Sequence, residues 1–209
     1  MTRSDEYQNT KNRPIQKEHN MDLFSALENR RSCRKFLDEP VKNETIENIL
    51  KAAAWAPSPL NTQPWQFIVI TSQGKKEEIF SEAERCCKWA VEASGWKWLN
   101  SYKVDFLKEA PVLIAVVGDP KKTGVDMFQE EGSVGYQLAC AAAIQNMLLA
   151  AHALDLGSLW FTFFDKQEIR KILDIPDNKT PISLVCIGKT ESTPAATPRK
   201  NVKEKIEYI

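Results

Sequence analysis

The sequence predicts a layered fold in which helices pack on a β-sheet, of the α/β or α+β class. Three observations carry that prediction. Four short apolar runs, at 65–70, 111–118, 157–164 and 181–188, are rich in β-branched or aromatic residues and read as strands. The stretches between them are longer and mainly helical in pattern. The chain of 209 residues contains no internal repeat, which suits one core with elaborations better than two independent domains.

Taken in order, residues 1–20 are polar throughout and lack the apolar stretch of a secretory signal, so a flexible arm is expected ahead of a single domain over 21–209. A first helix is predicted from Asp22, which can cap it, towards Asn29. "KNETIENILKAAAWAP" places Ile46, Ile49, Leu50 and Ala53 at helical spacing, and Pro57 marks its end. "PSPLNTQPW" is a loop and "WQFIVI" the first strand. Residues 75–108 read as mainly helical, with Trp89, Trp96 and Trp98 gathered around Gly95, an aromatic density that could cover a ligand. "PVLIAVVG" is a second, buried strand. From Gly132 to Leu154 no charged residue occurs, yet Gln137, Gln145, Asn146 and His152 punctuate the run and its alanines suit close packing. A buried central helix is expected there rather than a membrane span. "GSLWFTFF" over 157–164 is a third strand, "DKQEIRKILDIP" a short helix capped by Asp165, and "PISLVCIG" a fourth strand. The tail over 190–209 carries two prolines and should run extended over the surface or across a partner.

Charge and cysteine content exclude several functions. The 28 basic and 28 acidic side chains cancel, which argues against a nucleic-acid-coating protein. Five cysteines form no CxxC pair, and only two histidines, His19 and His152, exist to complete a metal site, so no structural metal is expected. The odd cysteine count fits a reducing compartment, with the cytoplasm as the expected location. Neither GxxxxGK[ST] nor GxGxxG occurs, and no serine or cysteine has an evident histidine partner, so nucleotide loops and triad hydrolysis are poorly supported.

Three stretches concentrate polar groups. "RRSCRKF" at 30–36 packs four cations into six residues. It is either an anion site, for which arginine's planar fork suits a phosphate, or a solvated helix end whose arginines favour the C-terminal dipole. "APSPLNTQPWQF" is ordinary loop punctuation, or a close-approach loop in which Ser58 and Asn61 offer hydrogen bonds. In "GSLWFTFF", Thr162 sits among aromatics at a strand end and could simply bond to backbone.

Four segments, "ENRRSCRKF", "APSPLNTQPWQFIVI", "AAAIQNMLLAAHALDLGSLW" and "LVCIGKTESTPAATPRK", resemble in that order the motifs of the FMN-dependent nitroreductase family, over about residues 21–205. The resemblance implies an α+β, three-layer fold with a central, mainly antiparallel sheet flanked by helices and a domain-swapped C-terminal extension. It implies a homodimer with FMN at two interface sites, NADH or NADPH as donor and a small organic acceptor such as a nitroaromatic or quinone. Arg30, Arg31, Ser32 and Arg34 match the family's first FMN motif, with Arg34 towards the N1/C2=O edge of the flavin. Pro57, Ser58, Pro59, Leu60 and Asn61 match the loop that lies against the flavin from the other subunit. Trp160, Phe161 and Thr162 match the segment beside the ring, with the Thr162 hydroxyl a donor to flavin N5, and Arg199 matches the basic tail residue that reaches the phosphate. No side chain is implied as a catalytic acid or base. Two departures stand out: Asp155-Leu156-Gly157 where many members have Gly-Leu-Gly, and Thr162-Phe163 where many have a glycine. Reductive dehalogenation under a lid at 85–106, or flavin binding without turnover, are the alternatives.

Overall fold

The computed structural model describes residues 21–128 and 133–209; the predicted arm and the start of the uncharged run at Gly132 lie outside them. Four strands, β1 (Trp65–Ile70), β2 (Val112–Gly118), β3 (Gly157–Phe161) and β4 (Thr180–Gly188), form one sheet in the order β1-β2-β4-β3. Every neighbouring pair is antiparallel, which decides between the two predicted classes in favour of α+β.

β2 is buried along its whole length because both faces of the sheet are covered, which is why it reads as an unbroken apolar run. Its residues divide by pleat. Val112, Ile114 and Val116 face the layer formed by α2 (Asn43–Ala54) and α5 (Gly135–Ala153), whereas Leu113, Ala115 and Val117 face α3 (Gln73–Ser94), α4 (Phe106–Glu109) and α6 (Lys166–Ile172). The result is three layers with a core on each side of the sheet. α5 buries Ala139, Cys140, Ala143, Ile144 and Met147 against the sheet, and Asn146 Nδ2 donates to the Ala52 carbonyl of α2 at 3.0 Å.

Helix termini follow local chemistry. Asp22 caps α1 (Leu23–Asn29) by accepting from Ser25 N at 3.0 Å, and Asp165 caps α6 by accepting from Gln167 N at 2.7 Å. The predicted helical stretch over 75–108 is broken. α3 stops at Gly95, whose φ of +69° only glycine adopts without strain, a 3-10 turn follows over Lys97–Ser101, and α4 completes the stretch.

The predicted strand over 157–164 ends early, at Phe161. Phe164 N turns back to the Thr162 carbonyl at 3.1 Å so that the chain can enter the Asp165-capped helix, and the sheet loses its third strand there. The tail after Gly188 contains no strand, only a 3-10 turn over Val202–Lys205, and its residues from Glu191 onward are exposed.

Ile114 is fully buried in the central strand between the sheet and α5. Ile114→Ala should lower unfolding free energy by about 2–5 kcal/mol, through lost transfer energy plus an unfilled cavity, with an unchanged slope in chemical denaturation.

Candidate functional site

The basic cluster lies where α1 hands the chain to the sheet edge. β3 is an edge strand, and the segment after α1 covers that edge. Cys33 N donates to the Ser158 carbonyl and Leu37 N to the Lys189 carbonyl, both at 2.9 Å, with Ser32 paired beside Ser158. Between this segment, the end of α5, the start of β3 and the first tail residues lies a cavity of about 260 Å³. Arg30, Arg31, Cys33, His152, Asp155 and Ser158 contribute to its walls, with Thr190 to Thr193 closing the tail side.

Arg31 serves the end of α1: its Nη1 donates back to the carbonyls of Glu28 at 2.5 Å and Arg30 at 2.9 Å. Arg30 lies in the cavity wall within electrostatic range of Arg199, which arrives from the other end of the chain. Burial, and then the charges of Arg31 and Arg199, hold the Arg30 guanidinium below its ordinary pKa. Arg34 is exposed. Gathering like charges is unfavourable unless an anion relieves it.

Unsatisfied groups point the same way. Among the described residues, four buried side-chain polar atoms lack a hydrogen-bond partner, and three of them, Arg31 Nε, His152 Nε2 and Ser158 Oγ, belong to walls of this one cavity. Such orphans are costly, and their concentration marks a site completed by something polar. Cys33 is no nucleophile there, because burial pushes its thiol up.

From Ser158, β3 runs back beside α5. Four residues of extended chain place Thr162 roughly 13 Å away. Trp160 lies on the α5 side of the strand, 37% exposed, and Thr162 is exposed just beyond it, so its hydroxyl is not the buried group that the sequence pattern prompted. Phe161 points into the opposite core, 3% exposed, with its ring 5.6 Å from that of Phe106. Its side chain is therefore unavailable to a ligand, and only its backbone faces the site.

The loop Pro57–Asn61 sits elsewhere. It packs on the N-terminal end of α5, where a Cβ on Gly135 would come within 3.2 Å of Pro59 Cγ and one on Gly124 within 2.4 Å of Pro59 Cβ. The 19 residues of α5 separate it from the cation cluster by about 27 Å. Leu60 and Asn61 both adopt left-handed backbone, at φ +50° and +53°, and Leu60 is 76% exposed, a strained presentation of an apolar side chain. Ser58 Oγ accepts from Gln63 N at 3.0 Å, which tightens the turn.

Sequence reasoning missed the residue that caps the helix end on which this loop packs. The Asp126 carboxylate accepts from Thr123 Oγ1 at 2.5 Å, Val134 N at 2.8 Å and Gly135 N, and so caps α5 from outside the helix. An acidic residue nine positions ahead of a glycine gives no local capping signal. On the other face of the sheet, Trp96 and Trp98 are exposed and stacked at 6.3 Å, and a run of ring contacts through Tyr102 and Phe106 connects them to Phe161.

Comparison with known proteins decides the family. The sequence model of the nitroreductase family matches residues 27–189. The chain belongs to the nitroreductase family. It is 34% identical over 176 residues to an Archaeoglobus fulgidus protein provisionally named NADH dehydrogenase/NAD(P)H nitroreductase, covering 80% of this chain and 84% of that one. It is 30% identical over 170 residues to the 5,6-dimethylbenzimidazole synthase of Rhodospirillum rubrum, covering 79% and 81%. In structure it resembles an oxidized iodotyrosine deiodinase bound to FMN and 3-iodo-L-tyrosine, with a TM-score of 0.74, 26% identity and coverage of 87% and 96%. The nitroreductase-like, α+β architecture implied by the motifs is thus established, and among the described residues no helix is long and apolar enough to cross a membrane.

Asp126 is held below the usual aspartate range by the Thr123 hydroxyl, and then by the Gly135 and Val134 N–H groups. A depressed folded pKa means that its contribution is complete above the unfolded value of about 3.9 and is lost as pH falls through the lower folded value. Asp126→Ala should therefore be less stable than wild type at pH 7, and the gap should narrow below about pH 4; denaturation at a series of pH values reads both.

Proposed function

We propose that the protein is an FMN-dependent oxidoreductase that takes reducing equivalents from NADH or NADPH and delivers them to a small organic acceptor. The observation that carries this reading is the cavity lined by Arg30 and by three orphaned polar groups, with Arg199 within electrostatic range of Arg30. Such a donor set suits a single terminal phosphate. Arg30, Ser32, Arg199 and, through its free Nε, Arg31 would hold that phosphate, with Arg34 nearby. Trp160, the Phe161 backbone and Thr162 would border the flavin ring, in keeping with the separation along β3 between the cations and the strand end. When bound, FMN supplies the hydride acceptance and electron delivery. The chain's own residues bind and orient it, and solvent supplies protons, so no side chain is assigned as acid or base.

The distance along α5 supports a homodimer. A flavin cannot touch both the cation cluster and Pro57–Asn61 of the same chain when a helix of about 27 Å separates them. Supplying the loop, with Pro57, Ser58, Pro59, Leu60 and Asn61, from a second copy would bring the two halves together. The half-exposed outer side of α5, uncharged and rich in alanine, and the exposed apolar Leu23, Phe24, Leu27 and Leu138 suit that interface. The tail, exposed from Glu191 onward, suits the swapped arm that the motifs imply. On this reading residues 21–209 act as one domain.

A second reading is favoured by the exposed Trp96 and Trp98 pair and by the likeness to iodotyrosine deiodinase: an aromatic acceptor, reductively dehalogenated beneath residues 85–106. Anaerobic mixing separates these alternatives. Rapid bleaching of the bound flavin by NADH or NADPH supports the leading reading, and slow bleaching by both favours dehalogenation or a flavin-binding protein without turnover.

The purified protein should release FMN and not FAD on denaturation, as chromatography of the chromophore would read. Arg30→Ala and Arg199→Ala should each weaken FMN binding by about 1.5–3 kcal/mol, roughly ten- to a hundredfold, while riboflavin, which lacks the phosphate, binds both variants as it binds wild type. Release of FAD, or unchanged FMN affinity in both variants, would end this assignment.

Sedimentation should give an FMN-loaded dimer, and removal of residues 190–209 should weaken both association and flavin binding. A stable monomer that retains FMN would contradict the composite site.

A further inference from the structure

Granting the FMN reading, we infer that His152 is the proton-linked member of the phosphate end of the site: a neutral imidazole in the free protein that takes up a proton when a phosphate dianion enters the cavity beside Arg30, Arg31 and Ser158.

The cavity's charge favours it. Its walls carry two cations, Arg30 and Arg31, and two carboxylates, Asp155 and Glu191, so their charges cancel. Arg199 and Arg34 act on the cavity from outside its wall, on Arg30 and on Cys33, but both are exposed and screened by solvent, against a ligand that carries close to two negative charges at pH 7 and above. His152 is the remaining group in the wall that can supply a cation at neutral pH, since Cys33 yields only an anion.

Its placement suits that task. His152 lies in the last turn of α5, where the negative end of the helix dipole favours a cation. Its Nε2 is sealed from water and makes no hydrogen bond among the described residues, so a charge there would act on the phosphate through a weakly screening medium. In the free protein the same features work against protonation. Burial first, and then Arg30 and Arg31, keep the imidazole below its ordinary pKa, with Asp155 opposing them. An arriving dianion reverses the sign of the local field, so the pKa in the complex must exceed that in the free protein, and linkage requires FMN to bind more tightly as pH falls through the interval between the two.

The test uses full-length protein freed of flavin. Calorimetric titration with FMN between pH 7 and 8.5, in buffers of different ionisation enthalpy, counts the protons taken up; over this range the FMN phosphate, with a second pKa of about 6, is already mostly a dianion. Wild type should take up a fraction of a proton approaching one, with affinity rising as pH falls by up to tenfold per pH unit, the limit for one linked proton. His152→Gln should show neither, and riboflavin should bind wild type without proton uptake. Because the chain has only two histidines, His19→Gln leaves a single imidazole whose NMR titration can be followed directly. Its midpoint should move upward when FMN is added. FMN binding with an unmoved His152 midpoint, or with the same proton count in His152→Gln, overturns the inference and leaves the FMN reading standing. No FMN binding by wild type overturns both.

Discussion

The structure depends on one constraint: α5 is a 19-residue helix without an Asp, Glu, Lys or Arg, and it has to be covered. The sheet covers one side, through Ile114, Val185 and Ile187, and α2 covers a second. What those layers leave half-exposed is a surface of small uncharged residues that resembles a core more than a solvated face. The same helix fixes the geometry of the site, because its N-terminal end carries the Pro59 loop and its C-terminal end carries His152 and the basic cluster. Stability and site composition are therefore one problem. A length of helix that one chain leaves half-exposed is also a length that one flavin could not span, and on the proposed reading a second copy would answer both.

Much of the fold was legible in the residues. All four strands were visible as apolar runs, and the caps at Asp22 and Asp165 were visible from residue type and position, since both depend on local chemistry. Antiparallel order was not, because periodicity carries no information on which strands pair. The early end of β3 was hidden because Thr162, Phe163 and Phe164 have every strand-forming preference. What ends the strand is the need to turn into α6, a demand made by the next element. The interruption at Gly95 was signalled by the glycine itself, but a pattern dense in tryptophan gave no sign of a 3-10 turn.

The site was legible in proportion to how local each role is. A run of cations is visible in one dimension, whereas the approach of Arg199 to Arg30 spans most of the chain and needs the fold. Of the two explanations of the basic run, the contacts show the helix end, in Arg31 turned back to Glu28, while Arg30 and Arg31 both line the cavity where the proposed phosphate would sit. Phe161 illustrates the converse. Alternation along β3 sends Trp160 and Phe161 to opposite faces, so a motif that spans both can offer only one of the two rings to a ligand.

The electrostatics of the cavity bear on how such a site can hold an anion and still fold without it. A pocket lined only by arginines would repel itself whenever empty, and that cost would fall on the free protein. Here Asp155 and Glu191 offset Arg30 and Arg31, and Arg31 is further tied to the carbonyls at the end of α1. The walls of the empty site are then close to neutral, and on the proposed reading the charge that a phosphate demands would come from an imidazole that can take a proton and from Arg199 on the exposed tail. Arg30 and Arg31 are thus compensated within their own cavity, and selectivity for a dianion would reside in the difference between the empty and filled states more than in the number of arginines.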